Sequence, residues 1–313
     1  MSKKLFSNSY LTIILLAFVF GIFFISCNEF EGDQQTPSFI YIKGFNMVEN
    51  PTIPQSSTEG FQTSAITDAW VYVDNIYIGT YSLPCKVPIL KKGNHKIEIK
   101  PGIKLNGISL TRSDYPFYTS YTNTHNLKEL ETDTIETMDI TYRDDWSVFA
   151  ISELFENSFL SFKTEGLLQD TNKLIKLNDP TIVKKDGHLG GTYCGAMYLG
   201  ANETTYRVIS DSIYCNNKST VVMEIDYWCN IPFGIGMTGK TSSAAQAQYL
   251  NVMTLNPNDG KGWQKVYIVL GKVWSQLSYP EYFRVFLTPL KKDGVQNGWI
   301  YVDNIKIIHY PNN

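Results

Sequence analysis

The sequence has little of what catalysis and metal binding usually require. Its four histidines, His95, His125, His188 and His309, are scattered, and no Cys/His spacing of the kind that marks a zinc site occurs. A G-x-S-x-G elbow is missing, so the local signature of an α/β-hydrolase nucleophile is absent. Paired glycosidase carboxylates leave no local motif, because they meet only in the fold. Asp144, Asp145, Glu153 and Glu156 read as surface charges. An excess of positive charge is also lacking, with 27 Lys and Arg against 30 Asp and Glu. Nucleic-acid recognition calls for a basic patch, so no nucleic-acid partner is expected. No segment longer than a turn or two carries a 3.6-residue apolar period. The one long apolar run, Leu11 to Ile25, falls short of the roughly 18–20 residues of a membrane-spanning helix.

That run has a function of its own. Lys3 and Lys4 precede it and Ser26-Cys27 end it, the three-part order of a secretory signal. Phe23-Phe24-Ile25-Ser26-Cys27 resembles a bacterial lipobox of the Bacteroidetes type. The resemblance implies a signal peptide over 1–26 and a diacylated Cys27 as the first residue of the mature chain. Asn28-Glu29-Phe30-Glu31-Gly32-Asp33-Gln34-Gln35 then forms a polar, acidic tether over 27–36, a solvated spacer by composition. It also resembles the acidic signals that send such lipoproteins to the outer face of the outer membrane. The expected location is therefore the cell outer membrane, lipid-anchored and facing the exterior. Four further cysteines, Cys85, Cys194, Cys215 and Cys229, allow three pairings. Their count leaves the disulfide pattern open.

A chain of 313 residues suggests two domains, placed here at 37–145 and 146–313. Both read as all-β antiparallel sandwiches, because short alternating runs separated by Gly, Pro and Asn fill them. Examples are Phe39-Ile40-Tyr41-Ile42-Lys43 and Val221-Val222-Met223-Glu224-Ile225-Asp226-Tyr227. Val71-Tyr72-Val73-Asp74-Asn75-Ile76-Tyr77-Ile78 reads as strand, tight Asx turn, strand. With Leu83-Pro84, Lys92-Gly93-Asn94 and the strand around Ile97, residues 70–100 resemble a PEGA-like module. The second half carries Glu224-Ile225-Asp226-Tyr227-Trp228, Gly262-Trp263-Gln264-Lys265 and a final Trp299-Ile300-Tyr301-Val302-Asp303-Asn304-Ile305. In pattern and order these resemble the jelly-roll sandwiches of carbohydrate-binding modules. Trp70–Ile78 and Trp299–Ile307 agree at seven of nine positions. Their flanks differ, so the echo reads as two strands with one alternation and not as a repeat.

Gly234-Ile235-Gly236-Met237-Thr238-Gly239-Lys240-Thr241 has the spelling of a P-loop. A P-loop cradles phosphate at the start of a long helix after a buried parallel strand, whereas Ser242 to Gln248 is short and polar. A glycine-rich hairpin or loop is expected instead, with no nucleotide or other cofactor. Tyr193, Tyr198, Trp228 and Trp274 are the candidates for stacking on sugar rings. Thr134 and Ser212 stand in Asp-Thr-Ile and Asp-Ser-Ile triplets that resemble Bacteroidetes O-glycosylation sites. The expectation is a non-catalytic surface lipoprotein acting as an accessory subunit of an outer-membrane assembly (secretion, uptake or barrel assembly), with a β-barrel protein as partner. The alternative is glycan binding through the jelly roll.

Overall fold

The computed structural model describes residues 35–53, 58–166, 172–203, 205–215, 220–240, 246–274, 276–277 and 282–311. The signal region, Cys27 and residues 28–34 lie outside them. The first half contributes β1 (Ser38–Ile42), β2 (Phe45–Met47), β3 (Asp68–Val73), β4 (Ile76–Ser82), β5 (Cys85–Ile89) and β6 (Gly93–Lys104). It continues with β7 (Arg112–Asp114), β8 (Tyr121–Leu127), β9 (Thr132–Ile135) and β10 (Met138–Ile140). The second half holds β11 (Val148–Glu153), β12 (Phe162–Thr164), β13 (Leu174–Leu177), β14 (Cys194–Gly200), β15 (Val208–Ser210) and β16 (Val221–Cys229). It ends with β17 (Phe233–Lys240), β18 (Gln248–Leu255), β19 (Gln264–Val269), β20 (Tyr282–Pro289) and β21 (Asn297–His309). The chain is all-β, as its alternation predicts; among the described residues helix is confined to single turns such as Pro180–Val183 and Gly271–Trp274.

In the first half a sheet ordered β4-β3-β6-β7, with β8 also on β6, faces the sheet β5-β1-β9. Ile40, Ile42, Val71, Val73, Ile97 and Ile99 meet between them. They occupy every second position of their strands, which is how a pleated strand buries one face. Asp74 and Asn75 take φ of 51° and 66°, making the tight β3–β4 turn that Asx residues favour. Two pairings depart from the antiparallel rule: β1 with β9 and β2 with β10 run parallel.

The second half is a sandwich of two antiparallel sheets. One is ordered β13-β14-β21-β16-β19 with β11 on β21, the other β12-β15-β20-β17-β18. Their inner faces share one large core containing Phe155, Phe162, Val208, Ile225, Phe233, Val285, Ile300 and Val302. The P-loop spelling lies in β17, a strand paired on both sides by β18 and β20. It is thus a sheet interior, and Thr241 lies outside the described residues. Gly236 has a structural reason there: a Cβ on it would sit 2.1 Å from the Phe286 ring.

Between the halves, the segment 141–146 exposes Asp144, Asp145 and Trp146 and buries Tyr142. Tyr142 is fully buried in a third core cluster, where Met47, Ile103, Tyr115, Phe117 and Tyr118 pack on Val222, Tyr267 and Ile308. Cys85, Cys194 and Cys229 are free thiols.

Candidate functional site

The site is organised by β21. Along it Ile300 and Val302 point into the sandwich core, so Trp299 and Tyr301 point the other way. At Asn304 the backbone takes φ of 48° and the register on β16 shifts, from Asp226 opposite Asp303 to Glu224 opposite Lys306. One extra residue in the strand re-aims the side chains beyond it. Ile305 and Ile307 then face the core, while Lys306 and Ile308 face outward toward the first half. The outer face of this sheet therefore has three zones in order: aromatic, ionic and apolar.

The aromatic zone joins three adjacent strands. Tyr198 on β14 pairs with Trp299, and Trp228 on β16 pairs with Tyr301. Trp299 and Tyr301 stack at 4.7 Å between centroids, Trp228 meets Trp299 edge-on at 5.1 Å, and Tyr198 meets Tyr301 edge-on at 6.3 Å. Offset and edge-to-face contacts of this kind fix rings in place. Tyr198 is 42% exposed and Trp228 and Trp299 are half-buried, while Tyr301 forms the floor. Polar bonds hold the rim: Trp228 Nε1 donates to the Asp259 carbonyl (3.2 Å), and the Trp299 N–H donates to Asn230 Oδ1 (2.7 Å). Such a surface offers negative ring faces to the C–H side of a sugar.

The ionic zone lies beneath the first half. Lys265 Nζ stands 2.9 Å from Glu224 and 3.4 Å from Asp226, all of them buried. Tyr115 and Tyr142 donate their hydroxyls to the two Glu224 oxygens at 2.6 and 2.8 Å. Thr63 donates to Asp226 at 2.6 Å. Burial alone would raise the Glu224 pKa, but the ammonium groups of Lys265 and Lys306 lower it below the usual value. Lys265 stays charged because Asp226 and Glu224 outweigh its burial. Burial and the neighbouring Lys265 lower Lys306 to about 7, against the pull of Glu224 and Asp226. Its Nζ donates to the Phe61 carbonyl (3.1 Å) and to the Tyr142 hydroxyl (3.0 Å). Burial also raises Asp303 to about 6, against the opposing pull of His188 at 3.2 Å. An ionic cluster of this kind sets geometry more than it adds stability.

Among the clefts that open where the halves meet, two adjoin each other. The smaller, about 300 Å³, is lined by Gln62, Lys185, Asp186, His188 and Trp263. There the His188 ring stacks on Trp263 at 4.3 Å and 11°. Gly262, at φ of 70°, leaves room for Asp186, whose carboxylate lies 2.2 Å from where a Cβ would stand. The larger cleft, about 930 Å³, runs between the β6–β7 turn and strands β18 and β19. Among the described residues no group of three or more His, Cys, Asp or Glu is placed to hold a metal.

Of the candidate stacking residues, Tyr198 and Trp228 fall in the aromatic zone. Trp274 does not: it is 1% exposed and packs at 4.3 Å on Phe283, because its single helical turn caps the sandwich core. Tyr193 has its ring covered by Lys176 Nζ at 4.2 Å. Glu153 is buried, not a surface charge, and accepts the N–H groups of Phe155 and Ser161. Thr134 is exposed on β9, whereas the Ser212 hydroxyl accepts from Arg284 Nε (3.0 Å). Trp299 and Trp263 join the site without standing among the stacking candidates of the sequence. The same-face period of Trp299 and Tyr301 was a usable signal; the partner strand beside Trp299 was not.

No family model and no curated protein matches the chain. Among solved structures, the C-terminal family 22 carbohydrate-binding module of Clostridium thermocellum Xyn10B is similar at TM-score 0.33 and 11% identity, over 51% of this chain and 94% of its own. The family 11 module of Clostridium thermocellum, in complex with a β-1,3-1,4-mixed-linked tetrasaccharide, gives 0.36 and 11%, over 54% and 98%. The CBM22-1 xylan-binding domain of Paenibacillus barcinonensis Xyn10C gives 0.35 and 13%, over 54% and 98%. Scores of this size are too low to transfer a ligand or a site to the present chain.

Proposed function

We propose that this chain is a non-catalytic glycan-binding protein that takes sugar rings on the Tyr198–Trp228–Trp299 face. The observation that carries the reading is the contiguous aromatic surface itself, drawn from three neighbouring strands, with Tyr198 exposed and Trp228 and Trp299 half-buried beside it. Aromatic side chains on a flat sheet face are rigid, so little conformational entropy is lost when a ring settles on them. Affinity electrophoresis against neutral polysaccharides tests it. Retardation should appear with at least one polymer and be lost in a Tyr198→Ala, Trp299→Ala double variant but not in Tyr249→Ala. If no neutral polymer retards the protein, or if the double variant behaves as wild type, the reading fails.

The accessory-subunit reading is carried less far. Among the described residues the most exposed apolar side chains, Leu110, Phe159 and Leu130, stand on three different loops. Membrane attachment belongs to this proposal on sequence grounds alone, through lipidation of Cys27 in an outer-membrane lipoprotein. A Cys27→Ala chain should leave the membrane fraction or stay unprocessed; membrane-bound protein of mature size would overturn the anchor.

A further inference from the structure

We infer that the larger cleft at the junction of the halves binds an anionic glycan, one bearing carboxylate or sulfate groups. The inference rests on the glycan-binding reading but uses a different surface. The ionisable residues lining this cleft are Lys104, Lys261 and Lys265, and no carboxylate lines it. Lys265 is committed to Glu224 and Asp226. The ammonium groups of Lys104 and Lys261 make no ion pair or hydrogen bond among the described residues. They come from opposite walls, Lys104 at the end of β6 in the first half and Lys261 on the loop before β19 in the second.

An uncompensated pair of cations in a chain with more acidic than basic residues is a local field of the opposite sign to the whole, and clefts focus such fields. The remaining lining suits a sugar rather than a bare ion. Trp263 and Tyr227 supply ring surface, and Asn256, Gln264 and Thr254 supply groups that bond hydroxyls. A volume of about 930 Å³ falls in the range of small-molecule sites, roughly 300–1,000 Å³. Ser64, Trp263, Gln264 and Lys265 line both clefts, so the two adjoin.

The test is affinity electrophoresis with polygalacturonate as the carboxylate polymer, dextran sulfate as the sulfate polymer, a neutral β-glucan and a single-stranded DNA oligonucleotide. Polygalacturonate, dextran sulfate or both should retard the wild type, less so as salt is added. The Lys104→Gln, Lys261→Gln double variant should lose that retardation, while Lys291→Gln, Lys292→Gln keeps it. Whichever polymer responds identifies the anionic group. Equal loss in the Lys291, Lys292 variant, or equal retardation by the oligonucleotide with the same lysine dependence, would overturn the assignment. If neither charged polymer binds while the β-glucan still does so through Trp299, the cleft inference fails and the aromatic-face reading stands. Loss of neutral binding alone leaves the cleft result intact.

Discussion

The side-chain amide of Asn304 pairs with both backbone polar groups of Phe61, 243 positions away: Oδ1 accepts the Phe61 N–H at 3.1 Å and Nδ2 donates to the Phe61 carbonyl at 3.0 Å. Nδ2 also donates to Thr63 Oγ1 at 2.6 Å. Gly60 lies under the same amide, and a Cβ there would fall 2.6 Å from Asn304 Oδ1. Asn304→Ala removes four hydrogen bonds at once, that from Nδ2 to Asp226 Oδ2 included, and leaves buried groups unpaired. It should cost about 2 kcal/mol or more in urea unfolding and open residues 59–63 to protease. Unchanged stability would show that the clamp contributes nothing net.

Trp274 and Tyr198 should respond in opposite ways. Trp274→Ala empties a buried site and is expected to cost about 3–5 kcal/mol. Tyr198→Ala should stay within about 0.5 kcal/mol of wild type, as an exposed position does. Denaturant midpoints of the two variants decide the matter, and similar losses would contradict the assignment of Tyr198 to the surface.

Stability should depend on pH through Asp303 and Lys306. Asp303 is raised from 3.8 to about 6, so the folded chain holds the extra proton between those values. Its contribution is present below pH 3.8 and declines as pH rises through 6. Lys306 is lowered from 10.5 to about 7, so the unfolded chain binds the extra proton between 7 and 10.5. Stability from this group therefore rises with pH across that window. Together they place a minimum between about pH 6 and 7. Melting curves of Lys306→Met should lose the rise above pH 7, and those of Asp303→Asn the fall below 6. Parallel curves for wild type and Lys306→Met would refute the lysine assignment.

Lys240→Ala should leave stability within about 0.5 kcal/mol, and no ATP should bind at millimolar concentration. Gly236→Ala, in contrast, must displace the Phe286 ring and meets the Leu250 carbonyl at 2.6 Å. Overpacking of this kind costs about 1–3 kcal/mol. Nucleotide binding lost with Lys240 would contradict the strand assignment of β17.

The layout of strands was legible because alternation is a local property: one face of β1, β3 and β6 reads directly as Ile and Val at every second position. What the alternation serves was not legible. Asp74-Asn75 and Asp303-Asn304 sit in near-identical nine-residue strings. The first reverses the chain, while the second only bulges a strand that continues to His309. The difference lies in what stands opposite: β21 is held by β14 on one side and β16 on the other, and Phe61 captures the amide. Tyr142 likewise gives no sequence sign of burial, because its partners Glu224 and Lys306 lie 82 and 164 positions away. The aromatic candidates divided for the same reason. Trp274 and Trp228 look alike in sequence, and only the cross-strand register of Trp228 with Tyr301 separates platform from core.

The chain that precedes Ser38 enters the fold through β1, which lies between β5 and β9 and is bonded to both. A pull on that preceding chain runs along β1 and loads the two ladders side by side, so their bonds share the strain instead of parting one after another. With ligand held at one end and a membrane at the other, this strand order would make the first sheet the mechanical clamp of the molecule.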